Sequence, residues 1–333
     1  MPVILGIESS CDETSAAVYA DGVMLSNIIA NQTIHEAYGG VVPELASRVH
    51  QQNIIPAVQQ AIVNAKVSKN DIDAVAFTRG PGLLGSLLVG VSFAKAFALA
   101  QNLPLIEVNH MQAHILAHFI DNPKPAFPFL CLTVSGGHTQ IVLVKDYFDM
   151  EVIGHTQDDA AGEALDKTSN ILGLPYPGGP LIDKHARLGN PDACAFPEPQ
   201  IPGFNFSFSG LKTSILYFIQ NNVAKNPDFV KENLNDICAS VEKRIVTILL
   251  NKLTKAAHAH GIKDIALAGG VSANTGLRQE LQVLGAKHGW NTFIPKMEYC
   301  TDNAAMIAVA GYYKFLKGEF TDQHVAPLAR MPL

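Results

Sequence analysis

The chain has 333 residues with 48% apolar and only 16% charged side chains, against a typical charged share of about 25%, which excludes intrinsic disorder and predicts extensive burial or large interfaces. Its length corresponds to about two domains of roughly 100 to 200 residues each. A net charge of -6 argues against a protein that grips nucleic acid unaided, since phosphate binding rests on Lys and Arg displacing counterions. The charge is uneven: residues 1–150 carry 7 basic and 12 acidic side chains, residues 151–333 carry 17 and 18, so a polyanion would dock on the second half.

Val3 to Glu8, Ser15 to Tyr19 and Met24 to Asn31 are predicted strands, the last two joined by Asp21-Gly22, a strong hairpin signal. A helix is expected from Pro43, with Leu45, Val49, Ile55, Val58 and Ile62 near helical spacing and a kink or break at Pro56. Asp73 to Thr78 reads as a strand, Gly85 to Ala100 as an apolar helix, Leu105 to Val108 as a strand and residues 110–120 as a helix. The pattern then restarts with strands at Phe129 to Val134, Thr139 to Val144 and Glu151 to Thr156, and a helix at Gly162 to Leu172. Residues 174–210, rich in Gly and Pro, read as an ordered insertion, followed by helices near 209–222 and 228–257. Strand Ile265 to Ala268, helix Thr275 to His288, strand Thr292 to Ile294 and helix Asp302 to Leu316, ended by Gly318, close the chain.

Two βββαβα patterns in one chain predict two α/β domains of related design facing a central cleft, with the turns Glu8 to Thr14 and Ser135 to Thr139 in equivalent places. The expected division is 1–109 plus 304–333, the terminal helix returning to the first domain, against 110–303 with the metal and nucleotide site. No membrane-spanning segment and no secretory leader are expected, so the default compartment is the cytosol. The five cysteines are scattered without a Cys-x-x-Cys pair and read as reduced, mostly buried thiols.

Three glycine turns sit at element ends: Ser135-Gly136-Gly137-His138-Thr139, Pro177-Gly178-Gly179-Pro180 and Gly269-Gly270-Val271. Such turns let a ligand approach the backbone, and helix N-termini favour phosphate, so together they point to one nucleotide site; a P-loop motif is absent. His110 and His114, four apart after a strand, present two imidazoles on one helix face, which suits a divalent metal, whereas His118 drifts off that face. Asp302, after the last strand, is a candidate third ligand, with helix capping as its structural alternative. Met111 stands where a zinc peptidase of the His-Glu-x-x-His type carries its base. Acids crowd two turns: Glu8, Asp12 and Glu13 in the first, and Asp158, Asp159, Glu163 and Asp166 near the helix at 162. Such acids can accept ribose hydroxyls or hold a metal, and part of the second group is explained by the helix dipole.

Eight segments together resemble the bacterial tRNA N6-adenosine threonylcarbamoyltransferases, on the actin, Hsp70 and sugar-kinase ATPase fold. They are Gly6–Thr14 (GIESSCDET), Gly39–Arg48 (GGVVPELASR), Gly80–Leu87 (GPGLLGSL), Asn109–His114 (NHMQAH), Val134–Thr139 (VSGGHT), Asp159–Lys167 (DAAGEALDK), Phe206–Lys212 (FSFSGLK) and Gly269–Asn274 (GGVSAN). Each is short, their joint order is specific, and they cover essentially the whole chain. The resemblance implies that His110, His114 and Asp302 hold one divalent metal, zinc or iron. It also implies that Thr133, Val134, Ser135, Gly136, Gly137, Asp166, Gly179, Asp183 and Asn274 line the site for the adenylate substrate or ATP/ADP. The implied reaction moves a threonylcarbamoyl group from threonylcarbamoyl-AMP to the exocyclic amine of the adenosine adjoining the anticodon in tRNAs reading ANN codons. Asp12, Glu13 and His138 are candidates to take the amine proton, on position. Implied partners are tRNA, a smaller paralogous subunit of the same fold, a small ATPase and an upstream threonylcarbamoyl-AMP synthase. Lys212, Lys243 and Arg244 are candidate phosphate contacts, with solvated helix faces as the alternative. The rival readings are an ATPase or phosphotransferase of the same fold, a non-catalytic nucleotide-binding scaffold and, more distantly, a metallopeptidase.

Overall fold

The computed structural model describes residues 2–333. Two compact units emerge: the stretch ending at Lys124 together with Pro295–Leu333, and Pro125–Ile294. Each contains a five-stranded mixed sheet of the same topology, and each is described by itself.

In the first unit β1 (Val3–Glu8), β2 (Thr14–Ala20) and β3 (Val23–Ala30) form the antiparallel meander. Asp21 and Gly22 both take positive φ at its hairpin, as an Asp-Gly turn requires. After α1 (Pro43–Ala65), β4 (Ala74–Gly80) adds parallel to β1; after α2 (Leu84–Gln101), β5 (Leu105–Asn109) adds parallel to β4. The order is β3-β2-β1-β4-β5.

Both faces of β1, β2 and β4 are buried, and the strand period of two sorts their side chains. Leu5, Ile7, Val75 and Phe77 pack with Ile54, Ala57 and Val58 of α1 and with Val91, Ala94 and Ala98 of α2. The alternate set, Ile4, Gly6 and Ala76, meets α9 (Ala304–Lys317). A Cβ at Gly6 would stand 2.6 Å from the Ala304 carbonyl oxygen, so a residue without a side chain is what admits the helix this close. By the same alternation, Glu8 at the end of β1 and Thr78 near the end of β4 fall on the α9 face.

Two expectations change here. Pro56 lies inside α1 without ending it; the lost N–H bond, a cost of about 3 kcal/mol or more, is outweighed by burial of Ile54, Ala57, Val58 and Ala61 on one face. The unit boundaries also move, so that residues 110–124 and 295–303 belong to the first unit rather than the second. The cause is packing: α3 (His110–Leu116) lies against α9, and Lys296 pairs with Asp121 at 2.8 Å. Helix α2 is long and apolar enough to cross a membrane by length and composition, yet its Leu87, Gly90, Val91, Ala94 and Ala98 are buried in this unit.

The second unit repeats the plan. The strands β6 (Phe129–Val134), β7 (Thr139–Val144) and β8 (Met150–His155) form a meander, while β9 (Asp264–Ala268) and β10 (Asn291–Phe293) are parallel additions, in the order β10-β9-β6-β7-β8. Its core joins Leu130, Leu132 and Val134 to α4 (Ala161–Ile171), α5 (Gly178–Ala186), α6 (Ser209–Val223), α7 (Phe229–His260) and α8 (Thr275–His288). The ordered 174–210 segment contains a helix of its own, for Gly178 and Gly179 open α5 and Ile182 and Ala186 enter the core.

Candidate metal centre and nucleotide site

The first site stands where β1, β4 and β5 end, the edge at which parallel strands commonly present functional groups. Asn109, the last residue of β5, turns its side chain back to accept from the Met111 and Gln112 amides at 2.9 and 3.2 Å and so starts α3. That cap fixes the helix, and His110 and His114 follow on one face. Across from them, Asn303 rather than Asp302 caps α9, accepting from the Met306 amide at 3.1 Å. The capping alternative for Asp302 therefore fails. The Ala304 amide is held by Ser15 Oγ at 2.8 Å, which sets where the preceding Asp302 stands.

His110 Nε2 and His114 Nε2 are 3.2 Å apart, and Asp302 Oδ1 lies 3.3 Å from the first and 3.1 Å from the second. Two imidazole nitrogens and one carboxylate oxygen thus converge on a single point, a group able to hold a metal ion. The donor set fits: two imidazoles and one carboxylate suit zinc with an open position, or ferrous iron.

Behind this trio is buried charge. Burial opposes protonation of His110, but Asp302 and Glu8 outweigh it and push its pKa well above the ordinary histidine value. Burial likewise opposes ionisation of Asp302, and the two histidines overcome it and hold the carboxyl far below the usual range. His114 goes the other way, depressed by burial. Glu13 is pushed well up by burial, then by Asp302 and Asp12. The predicted acids of the first turn therefore do gather near Asp302. The turn itself is pinned by His50, which takes the Thr14 hydroxyl on Nδ1 at 2.8 Å and donates from Nε2 to the Cys11 carbonyl at 3.0 Å. His118 is buried in the short 3-10 turn that follows α3.

The second site is built mainly from backbone. Gly269, with φ of +84°, brings the loop between β9 and α8 against β6, where an added Cβ would stand 2.5 Å from the Val134 carbonyl oxygen. Gly136, Gly137, Gly179 and Gly270 face open space, with nothing within 4 Å of an added Cβ. The turn at Ser135 closes on itself, Ser135 N donating to the His138 carbonyl at 2.8 Å, and Thr133 is fully buried at its base.

Asp166 occupies the first two amides of α5, accepting from Gly178 and Gly179 at 2.9 and 3.1 Å, so that helix end is already capped. Burial raises the Asp166 pKa, though the two amides offset part of the effect. Asp183 accepts from the Thr275 amide at 2.9 Å and pairs with Arg187, which ties α5 to α8. Asn274 caps α8 at the Leu277 amide, 2.8 Å, and its Nδ2 donates to Glu242 at 2.5 Å. Glu242, which the sequence left unmarked within a long helix, is pushed up to about 7 by burial and by Asp183. The three basic candidates are already engaged. Lys212 pairs with Asp159 at 3.5 Å, Lys243 with Asp192 at 2.5 Å and Arg244 with Glu198 at 3.4 Å.

Fold and sites together define a class, the two-unit α/β proteins of the actin, Hsp70 and sugar-kinase type. Among solved structures, full-length HypF in its phosphate- and nucleotide-bound form shares the fold, with a TM-score of 0.62 at 14% identity over 96% of this chain and 47% of that one. Within that class, the family model for tRNA N6-adenosine threonylcarbamoyltransferase matches residues 23–309. The curated enzyme of that description from Christiangramia forsetii is 62% identical over 98% of this chain and 97% of its own. That from Cytophaga hutchinsonii is 59% identical over 98% and 96%. The chain belongs to the tRNA N6-adenosine threonylcarbamoyltransferase family. It is an acyltransferase of tRNA modification, and its product is the threonylcarbamoylated adenosine t6A.

Proposed function

We propose that the transfer is metal-assisted, with threonylcarbamoyl-AMP as donor and a zinc or ferrous ion held by His110, His114 and Asp302. The observation that carries this reading is the convergence of their three ligand atoms at 3.1 to 3.3 Å. When bound, the ion supplies a Lewis acid for the negative charge that develops on the carbamoyl oxygen. The acceptor N6 forms its bond to the carbamoyl carbon and loses a proton, the bond to the phosphate oxygen breaks, and AMP leaves. Asp12, Glu13 and His138 are the candidates to receive that proton.

The adenylate binds through Thr133, Val134, Ser135, Gly136, Gly137, Asp166, Gly179, Asp183 and Asn274. The open glycines admit the nucleotide to the backbone, and the carboxylates of Asp166 and Asp183 accept ribose hydroxyls. The acceptor is the adenosine adjoining the anticodon in tRNAs reading ANN codons. The first half of the chain is acidic, and Lys212, Lys243 and Arg244 are paired internally. Partner subunits therefore share the grip on tRNA: a smaller paralogue of the same fold and a small ATPase. A threonylcarbamoyl-AMP synthase supplies the donor, and the compartment is the cytosol.

The test is nucleoside mass spectrometry of unmodified tRNA incubated with threonylcarbamoyl-AMP and the protein, with and without these partners. Modification by the wild type and none by His110→Ala supports the reading. A fully active His110→Ala removes the metal from the mechanism.

A further inference from the structure

Glu8 is an unusual way to end a buried apolar strand. Its side chain is fully inaccessible, and an unpaired carboxylate there is costly. Every hydrogen bond the structure gives it is directed. Oε1 accepts from the Ser10 amide at 2.5 Å, and Oε2 accepts from the Thr78 hydroxyl at 2.7 Å and faces His110 Nδ1 at 3.0 Å. Ser10 Oγ lies 3.2 Å from the same imidazole nitrogen. A carboxylate is an acceptor only, so the Nδ1 side of His110 is where the ring carries its proton. Nε2, which faces His114 and Asp302, is then the nitrogen that would give up its proton to a metal.

We propose that Glu8 is a positioning residue, which fixes the tautomer and the ring plane of His110 so that Nε2 is presented as a ligand, with Thr78 and the Ser10 amide holding Glu8 in turn. The inference rests on the metal reading above and deepens it. A metal-ligating histidine is commonly oriented by a carboxylate on its other nitrogen, and loss of such a partner weakens metal binding by about 10- to 100-fold. The strand register gives Glu8 this role: Gly6 and Glu8 share the α9 face, and Gly6 admits the helix that follows Asp302 and its cap Asn303. His114 has no such support, for its Nδ1 is buried with no partner among the described residues. The pair is therefore asymmetric: His110 has a carboxylate on the nitrogen away from the trio, whereas His114 has polar partners, among the described residues, only on Nε2, toward Asp302 and His110.

The experiment is a Zn2+ affinity measurement on chelator-stripped full-length protein, by competition with a chromophoric chelator. It uses the wild type, Glu8→Gln, Thr78→Val, His110→Ala and the Glu8→Gln/His110→Ala double variant, with the fold of each checked by circular dichroism. Glu8→Gln is expected to bind Zn2+ about 10- to 100-fold more weakly, and the double variant no more weakly than His110→Ala. Binding by Glu8→Gln within about twofold of the wild type overturns the inference while leaving the metal site standing. The same loss in both backgrounds also overturns it, because Glu8 would then act on the fold rather than through His110. A wild type that takes up no Zn2+ overturns the metal reading and the inference with it. If Glu8→Gln does not fold, Thr78→Val decides: weaker binding supports the role, and wild-type affinity rejects it.

Discussion

The turn between β1 and β2 and the turn between β6 and β7 hold the same place in two sheets of the same order, yet they are built by opposite means. The first is crowded with side chains: Glu8, Ser10, Cys11, Asp12 and Glu13 are packed, hydrogen-bonded and electrostatically tied to Asp302 and His110. The second has few, for Gly136 and Gly137 leave its backbone open, and it is closed by Ser135 N donating to the His138 carbonyl and His138 N donating to Ser135 Oγ at 3.1 Å. One topology thus carries a turn of buried charged side chains and a turn of open glycine backbone. On the proposed reading, function in the first would depend on chemical identity, and in the second on the absence of a side chain.

The contrast can be tested by substitution. His110→Ala should abolish t6A formation. It should also lower stability by about 1–3 kcal/mol, since Glu8 and Asp302 lose a buried partner, seen as an earlier denaturant midpoint. Gly269→Ala is the matching change in the second unit. Its positive φ and the contact with the Val134 carbonyl predict a loss of about 1–3 kcal/mol or more by equilibrium unfolding. Asn303→Ala removes the cap of α9 and should cost about 1 kcal/mol, with a parallel fall in metal affinity if Asp302 is placed by that helix.

Glu242 gives a pH signature with the opposite sign to a salt-bridged acid. Its carboxyl is raised to about 7 in the fold, above its ordinary 4.5, so its protonated form is the one the fold favours. Its contribution is most favourable below the ordinary value and is lost as pH rises toward 7. Glu242→Gln can accept from Asn274 and donate to Asp183, so thermal unfolding at pH 8 should find it more stable than the wild type. Gly136→Ala is the smallest expected change, within about 0.5 kcal/mol in stability because its Cβ meets only open space. It should nonetheless weaken adenylate binding, measured by calorimetry.

Much of this plan was legible in the sequence because its signals are local. Strand and helix periods, the Asp21-Gly22 hairpin, the Gly318 terminator and the i, i+4 spacing of His110 and His114 all act within a few residues. Features set by packing over long separations were not. Pro56 argues for a break in α1, and only the buried face of the helix overrides it. Asp302 is a credible cap by sequence, and only the Met306 amide donating to Asn303 shows that its neighbour takes that place. Glu8 could be noted as one of several acids in a turn. Its tie to His110, 102 positions away, exists only once β1 and β5 flank β4 in one sheet. Glu242 carries no signal at all, since its meaning comes from Asp183 and Asn274 on two other elements.

The measurement that tests the account most directly is t6A formed per tRNA as a function of bound metal, from stripped protein to full occupancy, with partners and threonylcarbamoyl-AMP in excess. The account predicts that modification rises in proportion to occupied sites and stays at background for His110→Ala at every metal concentration. Full modification by the stripped protein, unchanged as metal is added, would contradict it.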